Sequence, residues 1–237
     1  TCYCLAHNIH LVADYLRSRI KNRRLNMADN YLGRKMDEYF ARPREEHRRP
    51  VMSLRHLLAR NRSHRGYDAS FIVRADQLHS IIEVNTLIAS ARNRQALRFR
   101  PVLADEAGKV LPYIRLGAAL PDEHLPKAVS EPNAFIVICS DEVEDRYLDI
   151  DLGISVQSML LRATELGLNG ICIGAFDGKA IVRELNLPMN PLLIIAIGRG
   201  TDKIELVEIG ATDSRDYYRT NGKHYVPKVR VDDLIIK

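Results

Sequence analysis

From Asp149 to Arg199 the chain reads DIDLGISVQSMLLRATELGLNGICIGAFDGKAIVRELNLPMNPLLIIAIGR, and this stretch restricts the fold more than any other. Leu152, Val156, Met159, Ala163 and Leu166 recur at spacings of four and three, the period of a helix face. Ile154 and Leu161 lie off that stripe, so the helix is apolar over much of its circumference and is expected in the core. Gly153, Ser155 and Ser158 would let another backbone come close, and Gly167 and Gly170 flank the end of the helix. ICIG then predicts a short strand, DGKAIVRELNL a helix and PLLIIAIGR a buried strand. Upstream, NAFIVICS (133–140) is a continuous apolar run of strand length, as a central strand covered on both faces requires. Helices and buried strands mixed in this way predict an α+β chain with a central sheet packed by helices.

The remaining segments are less constrained. Helices are expected over 30–40 and 51–60, the second carrying Val51, Leu54 and Leu58, with the charged, Pro-bounded ARPREEHRRP between them. A helix is expected from Ala75 to about Ser90, with Asp76 in its first turn and Leu78, Ile81, Ile82, Asn85 and Ile88 or Ala89 on one face. ALRFRPVL alternates like a strand. The tail GKHYVPKVRVDDLIIK is polar and basic before an apolar, strand-like end. Residues 1–50 read as an N-terminal helical extension, of which 1–26 have no evident function and Met27 resembles a natural start. Residues 51–237 read as one domain.

Composition excludes several functions. No apolar run approaches the roughly 20 residues of a membrane span. The net charge of +5 is uneven: residues 1–100 hold 20 Lys and Arg against 9 Asp and Glu, and the rest of the chain is acidic. The arginines are spread over several elements with few aromatics among them, so nucleic acid is not the expected partner. Cys139 and Cys172 sit in apolar runs and read as buried reduced thiols. Cys2 and Cys4 have no companion pair at metal-binding spacing, and His64, His79 and His124 have no partner at ligand spacing, so no metal is expected. A cytoplasmic setting is expected, since nothing argues for an oxidising one.

Neither G-x-x-x-x-G-K-[ST], G-x-G-x-x-G nor G-x-S-x-G occurs, and the GRG at 198–200 is too short to count. The clusters with chemical potential are RNRSHR (60–65) and KVR (228–230), whose guanidinium groups can fork onto phosphate oxygens, with Ser63 able to donate to the same group. SARNRQ (90–95) places Ser90, Asn93 and Gln95 at a helix end, where amides can pair with the edge of a planar heterocycle or cap the loop. Taken alone, each basic cluster is better explained by a solvated surface, and SARNRQ by loop capping.

Taken in order, the segments resemble the nitroreductase family of flavoproteins. Asn61-Arg62-Ser63-His64-Arg65-Gly66-Tyr67 is similar to that family's Arg-Arg-Ser-x-Arg-x-Phe segment. Ala89 to Leu97 resembles its Pro-Ser-x-x-Asn-x-Gln-Pro-Trp segment, LGLNGICIGAFD its helix–strand segment beside the flavin, and VPKVRVDDL its C-terminal Lys-x-Arg segment. The resemblance implies a central, mostly antiparallel sheet flanked by helices, in an interlocked homodimer with FMN at the subunit interface. It implies that Arg62, Ser63 and Arg65 hold the FMN phosphate and the pyrimidine side of the ring, with Arg65 stabilising the reduced ring. Asn93 would bond the ring edge, with Ser90 and Gln95 nearby. Backbone amides at Gly174 and Ala175 would face flavin N5, and Lys228 and Arg230 would clamp the phosphate.

The implied activity is hydride transfer from NADH or NADPH to a small nitroaromatic or quinone-like acceptor by a ping-pong mechanism. No catalytic side chain is required, since the chemistry is the flavin's. Four departures stand out: Asn61 replaces the first arginine, Ala89 a proline, Ala96-Leu97 the Pro-Trp pair, and Gly174 an acidic residue of some members. The extra arginines of RNRQALRFR hint at an anionic acceptor. Three alternatives remain open: a specialised flavoprotein acting on a different acceptor or on a flavin itself, a basic binding module for nucleic acid or an anionic partner, and a scaffold whose flavin only stabilises a dimer.

Overall fold

The computed structural model describes residues 52–116 and 129–236. The helix expected over 30–40, the charged linker, the extension 1–50, Cys2, Cys4 and His124 lie outside the described residues. Residues 52–237 form one compact unit.

Its centre is a four-stranded antiparallel sheet of β1 (Arg98–Val102), β2 (Ala134–Ser140), β3 (Asn169–Ile173) and β4 (Asn190–Gly198), in the order β1-β2-β4-β3. All seven residues of β2 are buried, as the unbroken apolar run requires. Alternate side chains go to opposite faces. Phe135, Val137, Cys139, Ile194 and Ala196 meet Ile181 and Leu185 of α4 (Gly178–Leu185) on one face. Ile136, Ile138, Ile195 and Ile197 meet Leu78 and Ile81 of α2 (Ala75–Glu83) and Val156, Met159 and Ala163 of α3 (Arg146–Glu165) on the other. A close approach falls at Gly170 rather than at Gly153 where it was expected, since a Cβ on Gly170 would lie 2.6 Å from Leu160 Cδ2 and 2.8 Å from the Ala196 carbonyl.

Several elements differ from expectation. The first helix, α1, spans Leu54–Arg60 with Ser53 as its cap, and leaves Leu54 and Leu58 exposed. Helix α2 stops at Glu83 and passes into a single 3₁₀ turn, because the Asn85 amide and the Thr86 hydroxyl donate to the Ile82 and Glu83 carbonyls, both at 2.8 Å. Helix α3 begins earlier than expected, where the Asp145 carboxylate accepts the Leu148 N–H at 2.7 Å. Its off-stripe side is not buried in this chain: Tyr147, Ile150 and Ile154 are exposed, and a Cβ on Gly153 would meet nothing within 4 Å.

A second sheet was not foreseen. It joins β5 (Lys203–Ile209), β7 (Lys223–Val229) and β6 (Tyr218–Thr220) in the order β5-β7-β6, with β5 and β7 parallel. The β6–β7 hairpin turns on Asn221-Gly222, both at positive φ (51° and 70°), the requirement of a tight hairpin turn. The final apolar residues form no strand, and Val231, Leu234, Ile235 and Ile236 are exposed.

Candidate functional site

Residues 61–67 leave α1 and cross the ends of the central sheet. His64 N–H bonds the Gly170 carbonyl of β3 at 3.3 Å, and Thr201 N–H bonds the Gly66 carbonyl at 3.0 Å. Tyr67 is buried, its hydroxyl donates to the His64 carbonyl at 3.0 Å, and burial pushes its ionisation up. Both glycines of GRG exist for this crossing. A Cβ on Gly198 would lie 2.7 Å from Tyr67 Cδ1, and one on Gly200 would overlap the His64 imidazole.

The crossing segment forms one wall of a cavity of about 300 Å³. Arg62, Ser63 and Arg65 line it from one side, Lys228 and His224 of β7 from another, and Cys172 of β3 forms part of its floor. Among the described residues no carboxylate lines it. Arg62 is half-buried, which lowers its pKa, and it donates to the Leu58 carbonyl at 2.7 Å. The Arg65 guanidinium lies 5.3 Å from the Tyr217 ring centre, and its buried Nε has no hydrogen-bond partner among the described residues. Lys228 makes no ion pair among the described residues. Several guanidinium and ammonium groups without an internal anion make the cavity a place for one. Cys172 is exposed here rather than buried, although the protein around it raises its thiol pKa, whereas Cys139 is buried and its thiol is pushed up to about 11.

Ser90 and Gln95 lie elsewhere, on a larger cavity of about 1100 Å³ between α2, β1 and the start of α3. The turn that carries them caps itself: Gln95 N–H bonds Ser90 Oγ at 3.1 Å, and Gln95 Nε2 bonds Asn93 Oδ1 at 3.1 Å. Arg92, Asn93 and Gln95 are all left-handed (φ 52°, 54° and 49°), a strained run of non-glycine residues of the kind that clusters at functional sites. Asn93, Gly174, Ala175 and Arg230 line neither cavity. The Ala175 carbonyl accepts the Arg115 N–H at 2.9 Å, and Arg230 is paired to Asp233 at 2.7 Å. Of the arginines in RNRQALRFR, Arg94 pairs with Glu142 and Asp145, Arg100 pairs with Glu106, and Arg98 donates to the Gln95 and Leu97 carbonyls. Three of the four are therefore committed to their own chain.

The nitroreductase family model matches residues 58–199, more than half of the chain. The chain belongs to the nitroreductase family. Solved nitroreductases share its fold. A family protein from Clostridium difficile 630 is 24% identical, with a TM-score of 0.51 over 64% of this chain and 86% of its own. One from Streptococcus pneumoniae TIGR4 is 18% identical, with a TM-score of 0.57 over 78% of this chain and 100% of its own. A protein from Desulfovibrio desulfuricans, solved in complex with FMN, is 21% identical, with a TM-score of 0.53 over 64% and 88%. No curated protein matches. Among the described residues of this nitroreductase no helix is long and apolar enough to cross a membrane, and no cluster of three or more His, Cys, Asp or Glu is placed to hold a metal.

Sequence reading missed Asp202, whose carboxylate accepts the Arg65 and Gly66 amides at 2.6 and 3.0 Å. It also missed Tyr217 and His224, which line the smaller cavity. The signal for Asp202 was the GRGTD stretch that ends the buried strand β4.

Proposed function

We propose that residues 51–237 form a single FMN-binding domain, with residues 1–50 as an N-terminal extension, that transfers hydride from NAD(P)H to nitroaromatic or quinone-like acceptors by a ping-pong mechanism. The observation that carries this reading is the carboxylate-free cavity of Arg62, Ser63, Arg65 and Lys228. The buried Arg65 Nε, which has no partner among the described residues, fits a phosphate oxygen or a polar ring edge. Family membership and the FMN complex of the Desulfovibrio relative point the same way.

Bound FMN supplies the hydride chemistry. The chain binds and orients. Arg62 and Lys228 would neutralise the phosphate, the Ser63 hydroxyl would donate to it, and positive charge at Arg65 would favour a reduced, anionic ring. Gly174 and Ala175 would offer backbone amides to the ring.

The cofactor residues fall on two separate cavities, with Arg62, Ser63 and Arg65 at one and Ser90 and Gln95 at the other. A homodimer would let one chain present the first set and its partner the second, with Asn93 contributing to the ring edge. Three apolar features support it: the stripe Tyr147, Ile150 and Ile154 on α3, the tail ending in Leu234, Ile235 and Ile236, and the large apolar cavity beside edge strand β1.

The test is an absorbance spectrum of the purified protein with added FMN, before and after anaerobic NADH or NADPH. A bound flavin spectrum that bleaches with either donor and returns on adding a quinone is expected. Protein that takes up no FMN would overturn the reading.

A further inference from the structure

The backbone of the cofactor segment is held from behind by a residue that does not line the cavity. Asp202 lies in the turn between β4 and β5. Its Oδ2 accepts the N–H groups of Arg65 at 2.6 Å and Gly66 at 3.0 Å, and lies 3.8 Å from His64 Nδ1. Its Oδ1 faces Arg219 Nη2 at 3.5 Å. The same turn bonds the segment twice more, through Thr201 N–H to Gly66 O at 3.0 Å and Asp68 N–H to Arg199 O at 2.8 Å.

We infer that Asp202 is the positioning residue of the FMN phosphate site, fixing the backbone of residues 63–66 so that Arg62, Ser63 and Arg65 face the cavity before the anion arrives. The inference rests on the FMN reading of that cavity. Two amide bonds to one carboxylate are charge-assisted, and a segment already ordered loses less conformational freedom on binding. A carboxylate near an anion site opposes the anion unless it is shielded. Here the carboxylate is directed into the turn, two backbone amides and Arg219 surround it, and it is absent from the cavity wall.

The clamp also has an electrostatic signature. His64 packs on Asp202 together with the charged Arg219 and close to the buried Tyr67, and of the three it is the one that titrates near neutral pH. Burial lowers the His64 pKa, the Asp202 charge raises it, and Arg65 lowers it again. Replacing the carboxylate by an amide keeps an acceptor oxygen and removes the charge, which separates the two roles.

The experiment compares full-length wild type, Asp202→Ala and Asp202→Asn by FMN titration, by NMR hydrogen exchange of the Arg65 and Gly66 amides without flavin, and by NMR titration of His64. Asp202→Ala is expected to lose exchange protection at both amides and to bind FMN at least about tenfold more weakly. Asp202→Asn is expected to fall between it and wild type, and to move the His64 titration to lower pH. Unchanged FMN affinity and unchanged exchange in Asp202→Ala would refute the inference. If that variant does not fold, unchanged affinity and an unchanged His64 titration in Asp202→Asn would refute it instead. Wild type that binds no FMN would defeat the function reading, while the exchange of the two amides would still decide the clamp.

Discussion

Asp151, buried in α3, accepts the backbone N–H of Ala91 at 2.8 Å and so fastens the strained Ser90–Gln95 turn to the core helix. Its other oxygen, buried on the wall of the larger cavity, has no partner among the described residues. Asp151→Ala strands the amide and is expected to cost about 1–3 kcal/mol. Asp151→Asn keeps an acceptor and should cost less. Urea unfolding of the two variants checks the order, and equal losses would mean that the Ala91 bond contributes little.

Gly200 lies against the His64 ring. Gly200→Ala forces either the imidazole or the turn to move, and overpacking of this kind costs about 1–3 kcal/mol. A lower melting temperature is expected, together with weaker FMN binding, because the displaced ring belongs to the cofactor segment. A variant that melts like wild type would show that the turn relaxes freely.

Arg65→Ala removes a guanidinium that faces the cavity and stacks on Tyr217. Loss of one charged contact corresponds to about 1.5–3 kcal/mol, so FMN should bind at least about tenfold more weakly and be reduced more slowly by NADH or NADPH. Flavin fluorescence and stopped-flow absorbance read the two effects. Neither changing would remove Arg65 from the site.

Stability should depend on pH through His64. Burial holds this imidazole below its usual 6.5. The unfolded chain therefore takes up the proton first, and stability rises with pH wherever that is so. The His64 contribution is full above 6.5 and declines as the pH falls from there towards the depressed folded value. His64→Gln should flatten this part of the stability profile in urea titrations between about pH 7.5 and 5. A variant with the wild-type slope would assign the dependence to another group.

The exposed stripe on α3 carries the dimer proposal. A lysine at Ile150 or Ile154 introduces a charge that a buried interface cannot solvate. Ile150→Lys and Ile154→Lys are expected to convert a dimer into a monomer in light scattering, with FMN binding lost in parallel. Variants that keep the wild-type mass would place any interface elsewhere.

What the sequence disclosed follows from how local each signal is. NAFIVICS is a strand because seven consecutive side chains are buried, and burial on both faces leaves an unbroken apolar run. The end of α2 was hidden because Ile88 and Ala89 continue its apolar spacing, while two short side chains, Asn85 and Thr86, end the helix. KIELVEI (203–209) was overlooked although it alternates, because its charged face reads as loop when no partner strand is in view. The Asn221-Gly222 turn was a direct hairpin signal that went unused. The site divided in the same way. Arg62, Ser63, Arg65 and Lys228 were legible as an ordered set of motifs and share one cavity. Asp202 was not, because its role is defined by amides 137 and 136 residues away in sequence.

The placement of Arg65 and Gln95 on different cavities also has a genetic consequence. In the proposed dimer each centre draws one set of groups from each chain. Subunits bearing Arg65→Ala and subunits bearing Asn93→Ala would each be impaired at every centre as pure populations. Mixed, they would form hybrids in which one centre carries both lesions and the other carries none. Two defective alleles expressed together would then complement one another, with recovered activity approaching one quarter of the wild-type centres at about equal expression and random pairing.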